Sequence, residues 1–492
     1  MYGGRVGLMA DNCQEAIEAN FGIPGAGGVI VHLNPWLPTE DLVRQMRFVD
    51  CHVLIVSHAC LRRHGPESLS DGGARLLITF GADRAADAGA RCADYEHLID
   101  VAPEGSALNE VIQTELDPIV INFTSGTTGT PKGVVMSHRA AYLHALGQVL
   151  MLGLTRESQY LWTLPMFHVN GWGHMWATVA VGAGQVLVEL PGPLPEEEAR
   201  FIAHVGEAGV THLAGAPRLL RRIATLDGGS SLLRGCTLVT GGAAPSPALV
   251  KQLEVLGAKL VHQYGLNETF GPYVVCEEQS DWSREDGESR VALRCRQGVA
   301  AIHAGTGLRV LGADGREVPA DGKSTGEVVM SGNTVALGYY ENDEATAKAF
   351  VDGWFHSGDL AVVHPDGYLE IKDRIKDLIH VETDYGWENI SSIEVENVLV
   401  QCPGVGDAAL LGLQVKDAQG GVQLVAVIEP SPPSTPSREE LQIFCEQHLP
   451  THMRPSRFLF SPIPKTATGK TRKNALLSQV MTLIDANGER SV

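Results

Sequence analysis

Between Phe123 and Gly133 the chain reads FTSGTTGTPKG, which packs five hydroxyl side chains (Thr124, Ser125, Thr127, Thr128, Thr130), three glycines (Gly126, Gly129, Gly133) and Lys132 into one short segment. Glycine lets a backbone approach a ligand closely, hydroxyls and amides donate hydrogen bonds to phosphate oxygens, and a lysine neutralises their charge. The chemistry such a loop serves is the gripping of a nucleotide's phosphates. Pro131 stands where the G-x-x-x-x-G-K-[ST] pattern requires its second glycine, so a kinase-like or GTPase-like reading loses support.

Other residues able to do chemistry are spread along the chain. His168 sits in PMFHVNGW (165–172), where a histidine among aromatic residues could serve a site or fill a core. GGAAP (241–245) and Tyr264-Gly265 offer flat backbone and an aromatic face, and they fit a packing turn equally well. Taken singly, Glu268 and Lys470 read as solvated charges, and Asp359 and Arg374 as members of surface ion pairs.

Taken together and in order, these stretches resemble the motifs of the adenylate-forming superfamily of acyl-CoA synthetases, luciferases and peptide-synthetase adenylation domains, from about Arg5 to Lys473. The resemblance implies an α/β fold with a large multi-sheet amino-terminal domain and a small mobile α+β carboxy-terminal domain. It implies ATP/AMP binding by Thr124, Ser125, Gly126, Thr127, Thr128, Gly129 and Lys132, and by the adenine slot of Gly242, Ala243, Ala244, Pro245, Tyr264 and Gly265. Asn267 replaces a threonine of the family. Glu268 is implied to hold Mg²⁺ on the triphosphate, Asp359 to accept the ribose hydroxyls, and Arg374 to make a second nucleotide contact. His168 is placed beside the reacting carboxylate, with Asn170, Gly171, Trp172 and Gly241 lining the acyl pocket. Lys470, in PKTATGKTRK, is the mobile lysine that meets developing charge, and Lys376 is the hinge.

The implied reaction has two halves: a small carboxylic acid attacks Mg-ATP to give an acyl-adenylate and pyrophosphate, then the thiol of coenzyme A displaces AMP. TLPMFHVNGWGHMW and GPYVVCEEQSDW are most similar to ligases of short-chain, methylmercaptopropionate-like or benzoate-like acids. Two other outcomes remain open: an adenylate former with another acceptor, and a catalytically weak nucleotide-binding paralogue. Relative to the family, the chain begins inside the amino-terminal region, so exposed sheet edges are expected. After Ile379 it reads HVETDYGWENISS where relatives have paired glycines, and bulk from Glu382, Asp384, Tyr385 and Trp387 is expected to crowd the thiol's path.

The elements that must position these residues are legible as alternation. Val53–Val56, Ile119–Phe123, Leu238–Thr240 and Glu327–Met330 are β-branched runs, separated by helical patterns such as Ser137–Leu152 and Pro247–Leu256. Ser137 is placed to cap the helix after the glycine-rich loop. Two strand-like runs flank the turn 364–367, and a charged stretch follows. We set a domain boundary there, giving a large domain at 1–375 and a small one at 376–492, with a capped helix starting at Ser391.

Composition narrows the partners. Across 492 residues, 38 Lys and Arg face 58 Asp and Glu, and the net charge of -20 opposes attraction to nucleic acid or anionic membranes. No apolar run approaches a membrane span, and no secretory signal opens the chain. The nine cysteines include no C-x-x-C pair and read as reduced thiols of a cytoplasmic protein. Oligomeric state leaves no mark in the sequence.

Overall fold

The computed structural model describes residues 2–81, 92–103, 112–124, 132–190, 194–383, 386–414, 421–431, 434–465 and 471–486. The first sheet has eight strands, in the order Gly338–Tyr339, Lys132–Ser137, Pro118–Thr124, Val29–His32, Arg5–Met9, Val53–Ser57, Leu76–Phe80 and Cys92–Asp94. Its central strands run parallel, and Val29–His32 is buried at every position, as expected of a strand covered on both faces. Arg5–Met9, the first strand, lies between Val29–His32 and Val53–Ser57, so the sheet's edges do not fall at the chain's beginning.

A second sheet of seven strands carries Thr237–Thr240, Lys259–Leu266 and Gly271–Val275 as neighbours. A third, antiparallel, contains Thr325–Met330, Trp354–Val363 and Leu369–Arg374. The helix His138–Leu152 starts where Ser137 Oγ accepts from the Ala140 amide at 3.2 Å, and it ends at Gly153 in the left-handed region.

Beyond the single turn Ile375–Asp377 lie a hairpin, Ile379–Thr383 with Gly386–Ile390, and a three-stranded sheet, Val405–Gln414, Val422–Pro430 and Arg457–Phe460. Alternate residues of that sheet face opposite ways. Leu410, Leu424, Ala426 and Ile428 pack with Val395, Leu399, Leu441 and Cys445 of two helices; Leu411, Leu413, Val425 and Val427 pack with Leu476, Val480 and Ile484 of a third. Among the described residues, no helix is long and apolar enough to cross a membrane.

The backbone on either side of the Ile375–Asp377 turn is tied together. Asp373, almost fully buried, accepts from the Ser392 amide at 2.6 Å and from its hydroxyl at 3.0 Å, which caps the helix Ser392–Leu399. Ser391 Oγ donates to the Lys372 carbonyl at 2.7 Å. On the same helix, Glu396 accepts from the Leu410 amide at 2.8 Å.

Burial pushes the Glu396 carboxyl up to about 7, against the pull of Lys473 and Lys465. Its folded pKa lies above that of the unfolded chain, so the folded state holds the extra proton between the two values. Glu396's contribution to stability is therefore full at acid pH and lost as pH rises through about 7. Denaturant midpoints measured from pH 5 to 8 should fall less steeply in Glu396→Gln than in the parent; an identical slope rejects the assignment.

Candidate functional site

The antiparallel strands Pro118–Thr124 and Lys132–Ser137 pair Thr124 with Lys132, so the segment between them leaves and re-enters at one place on the sheet. Ser125, Gly126, Thr127, Thr128 and Gly129 lie outside the described residues. Lys132 projects from that point over the ring of Tyr339, with Nζ 4.6 Å from the centroid. The Tyr339 hydroxyl donates to Glu268 Oε1 at 2.9 Å. Tyr339 belongs to the first sheet and Glu268 follows the second, so this bond joins the two where the loop opens.

Glu268 stands in the turn Asn267–Thr269, which Thr269 Oγ1 braces by accepting from the Leu266 amide at 3.0 Å. Phe270 closes the turn with φ 62°. Burial raises the Glu268 carboxyl above its ordinary range, while the Tyr339 hydrogen bond and the charges of Arg374 and Lys132 pull it down. Asn267 is half-buried at the start of the same turn.

Asp359 and Arg374 are cross-strand partners in the third sheet, with Arg374 Nε 3.3 Å from Asp359 Oδ1. Tyr264, from the second sheet, donates its hydroxyl to Asp359 Oδ2 at 2.6 Å. Asp359 is only 4% exposed, and both of its oxygens are thus engaged. Burial raises the Tyr264 phenol well above 10, the Asp359 charge adds to it, and the hydroxyl stays a donor. Arg374 acts electrostatically on Glu268, Tyr264 and Lys376 alike, which puts these groups in one neighbourhood.

Of the residues expected to form an adenine slot, Gly242 to Pro245 follow the carboxyl end of the strand Thr237–Thr240, while Tyr264 and Gly265 lie in the neighbouring strand Lys259–Leu266. Gly242 has φ 80°, while Ala243 is exposed and Pro245 buried. A Cβ on Gly241 would stand 2.8 Å from the Gln263 carbonyl, and one on Gly265 would stand 1.8 Å from the Gly271 carbonyl. Both glycines are therefore required by strand packing, whatever else they admit.

In the acyl stretch, the His168 amide closes a turn on the Pro165 carbonyl at 3.2 Å, and the helix Val169–Val181 follows. His168 itself is half-buried. A Cβ on Gly171 would lie 2.3 Å from the Pro165 carbonyl, so only glycine lets the helix start this close. Trp172 is fully buried against Phe270, with ring centroids 4.7 Å apart. The side chain of Asn170 lies outside what is described.

Lys376 occupies the turn Ile375–Asp377, and burial lowers its pKa. Lys470 lies outside the described residues, but the segment holding it is closed at its ends by the bridge Lys465–Thr471, where Lys465 Nζ donates to Thr471 Oγ1 at 3.0 Å. The stretch after Ile379 pairs as a hairpin through Thr383 and Gly386. Asp384 and Tyr385 lie outside the described residues, as do the side chains of Glu382 and Trp387, so their bulk is not placed.

Sequence reasoning missed three supports. Tyr339 links Lys132 to Glu268. Glu327 holds the turn before Asp359, accepting from the Gly358 amide at 2.9 Å while its other oxygen pairs with His356 Nδ1 at 2.8 Å. Asn12 clamps the acyl stretch, donating to the Leu164 carbonyl at 2.8 Å and accepting from the Met166 amide at 2.8 Å. Each partner is remote in sequence, so no local signal marks the contact.

Among the described residues, no group of three or more His, Cys, Asp or Glu gathers to hold a metal ion. A single buried carboxylate suits Mg²⁺, which usually takes one or two carboxylates and completes its shell with phosphate oxygens and water.

Residues 2–340 match the model of the AMP-binding enzyme family, and 394–470 match that of the AMP-binding enzyme C-terminal domain. The chain is 38% identical over 492 residues to the 4-hydroxybutyrate–CoA ligase 2 of Metallosphaera sedula, covering 99% of itself and 87% of that protein. It is 35% identical over 501 residues to the peroxisomal acetate/butyrate–CoA ligase AAE7 of Arabidopsis thaliana, covering 96% and 85%. Among solved structures it resembles the anthranilate CoA ligase AuaEII in complex with anthranoyl-AMP, with a TM-score of 0.81, 24% identity and coverage of 97% and 87%.

Proposed function

Because the chain belongs to the AMP-binding enzyme family, we propose that it is an AMP-forming acid–thiol ligase that activates a short, unbranched carboxylic acid with ATP and passes the acyl group to coenzyme A. The observation that carries this reading is the meeting of Lys132, Glu268 and the Tyr264–Asp359–Arg374 set where three sheets adjoin. The family's short-acid ligases supply the substrate class.

In this reading Lys132 and the loop before it hold the triphosphate, and Asp359 takes the ribose hydroxyls, with Tyr264 and Arg374 fixing its oxygens. Gly242, Ala243, Ala244 and Pro245 border the base, next to Tyr264 and Gly265. Glu268, with Asn267 beside it, would hold Mg²⁺, which when bound neutralises charge on the phosphates and eases departure of pyrophosphate. His168, Asn170, Gly171, Trp172 and Gly241 orient the acid so that one carboxylate oxygen attacks the α-phosphorus. Lys470 then meets the charge that develops there. The small domain, 376–492, turns about Lys376 to admit the thiol, whose sulfur attacks the acyl carbon and releases AMP. All nine cysteines are free, which suits the cytoplasm we propose for it.

The test is pyrophosphate release across acetate, butyrate, 4-hydroxybutyrate and benzoate, with and without coenzyme A. Acid-dependent release, and an acyl thioester by mass only when coenzyme A is present, are expected. No release with any acid overturns the reading in favour of a nucleotide-binding paralogue. Accumulation of the AMP ester without thioester leaves adenylation standing and points to another acceptor.

A further inference from the structure

A chain of buried polar groups runs from the strand that feeds the phosphate loop to the indole behind the acyl stretch. Asn122 and His32 are register partners on neighbouring strands, and their side chains meet at 2.9 Å. The other ring nitrogen of His32 lies 2.9 Å from Asn20 Oδ1, and Trp172 Nε1 donates to that same oxygen at 2.7 Å. His32 is 4% exposed, Asn122 3%, and both Asn20 and Trp172 are fully enclosed.

The protons of this chain follow from its geometry. Asn20 Nδ2 donates to the Ala16 carbonyl at 2.7 Å, which fixes Oδ1 toward His32 as an acceptor. Burial drives the His32 pKa down to about 4, so the ring is neutral at pH 7 and carries one proton. That proton must sit on Nε2 to serve Asn20, which leaves Nδ1 as an acceptor. Asn122 then satisfies the ring by presenting its NH₂, a nitrogen that finds no partner when turned the other way. Donation runs Asn122 to His32 to Asn20, and Trp172 donates into the same oxygen.

Trp172 has no other polar anchor in the described structure. Its ring packs on Phe270, Trp176 and His32, contacts that resist tilting far less specifically than a hydrogen bond does. Resting on the acyl-pocket reading above, we propose that His32 is a positioning residue: through Asn20 it fixes the rotation of Trp172, and so sets the depth of the acyl slot and the preference for short acids. His32 touches no substrate in this arrangement. It acts through the indole, which the acyl-pocket reading places at the closed end of the slot.

The test compares kcat/KM for acetate, butyrate and hexanoate in the parent, His32→Leu, His32→Gln and Trp172→Phe. Leucine fills the volume and breaks the chain; glutamine can donate to Asn20 and accept from Asn122. Trp172→Phe keeps an aromatic ring but removes the N–H. His32→Leu and Trp172→Phe should each raise the hexanoate-to-acetate ratio by about tenfold, the scale on which an apolar pocket discriminates between homologous chains. His32→Gln should restore the parent ratio.

A uniform loss across all three acids, or an unchanged ratio in Trp172→Phe, overturns the proposal. Should His32→Leu fail to fold, Asn20→Ala, which cuts the same chain between His32 and the indole, takes its place: a raised hexanoate-to-acetate ratio is expected, and an unchanged one overturns the proposal. A parent protein that activates none of the acids removes the functional reading as well, and that result is visible before any variant is compared.

Discussion

Lys470→Ala is expected to slow acyl-adenylate formation by about 10²–10³-fold, the usual loss when one donor aimed at developing charge is removed. Thioester formation from a supplied acyl-adenylate should continue at close to the parent rate, because the phosphoryl chemistry is already complete in that substrate. Pyrophosphate release reports the first half and thioester mass the second. Equal losses in both halves would show that a different lysine does this work. Lys465 and Lys473 are the nearest alternatives in sequence, and both are committed elsewhere: Lys465 to Asp407 at 2.7 Å, Lys473 to Ser392 Oγ at 2.7 Å. Both commitments count against Lys465 and Lys473 as the lysine that meets the α-phosphate.

Asp359→Ala should weaken ATP and AMP binding by about 10²-fold, since removing a buried carboxylate that accepts charge-assisted hydrogen bonds typically costs about 2–5 kcal/mol. The loss has two sources. The ribose hydroxyls lose their acceptor, and the Tyr264 hydroxyl and Arg374 are left facing a void in a site only 4% exposed at Asp359. Calorimetric titration with AMP reads the effect directly. Tyr264→Phe removes only one donor and should cost far less. Unaltered AMP affinity in Asp359→Ala would detach this carboxylate from the nucleotide.

Much of this was legible in the sequence, for identifiable reasons. Runs such as Val53–Val56 and Ile119–Phe123 announce strands because parallel strands buried on both faces must be continuously apolar, and they lie in Val53–Ser57 and Pro118–Thr124. Ser137 and Ser391 signal helix starts because a free amide there needs a hydroxyl. In the stretch after Ile379, the alternation over His380–Thr383 and the glycine at 386 carry a hairpin pattern, and Ile379–Thr383 pairs with Gly386–Ile390. Contacts between sheets left no local trace. Nothing near Glu268 specifies Tyr339, and nothing near Trp172 specifies Asn20, because each pair meets only once separate sheets and helices have packed.

The clasp around the Ile375–Asp377 turn bears on timing. If the small domain pivots at Lys376, the helix Ser392–Leu399 cannot swing away from the strand ending at Arg374 while Asp373 caps it and Ser391 holds the Lys372 carbonyl. Rotation then requires these bonds to break in a poorly hydrated setting, which turns a loose swivel into an activated step with its own enthalpy. Such a latch would let the adenylate complete its chemistry before the thiol is admitted, and it would make the interval between the two half-reactions steeply dependent on temperature.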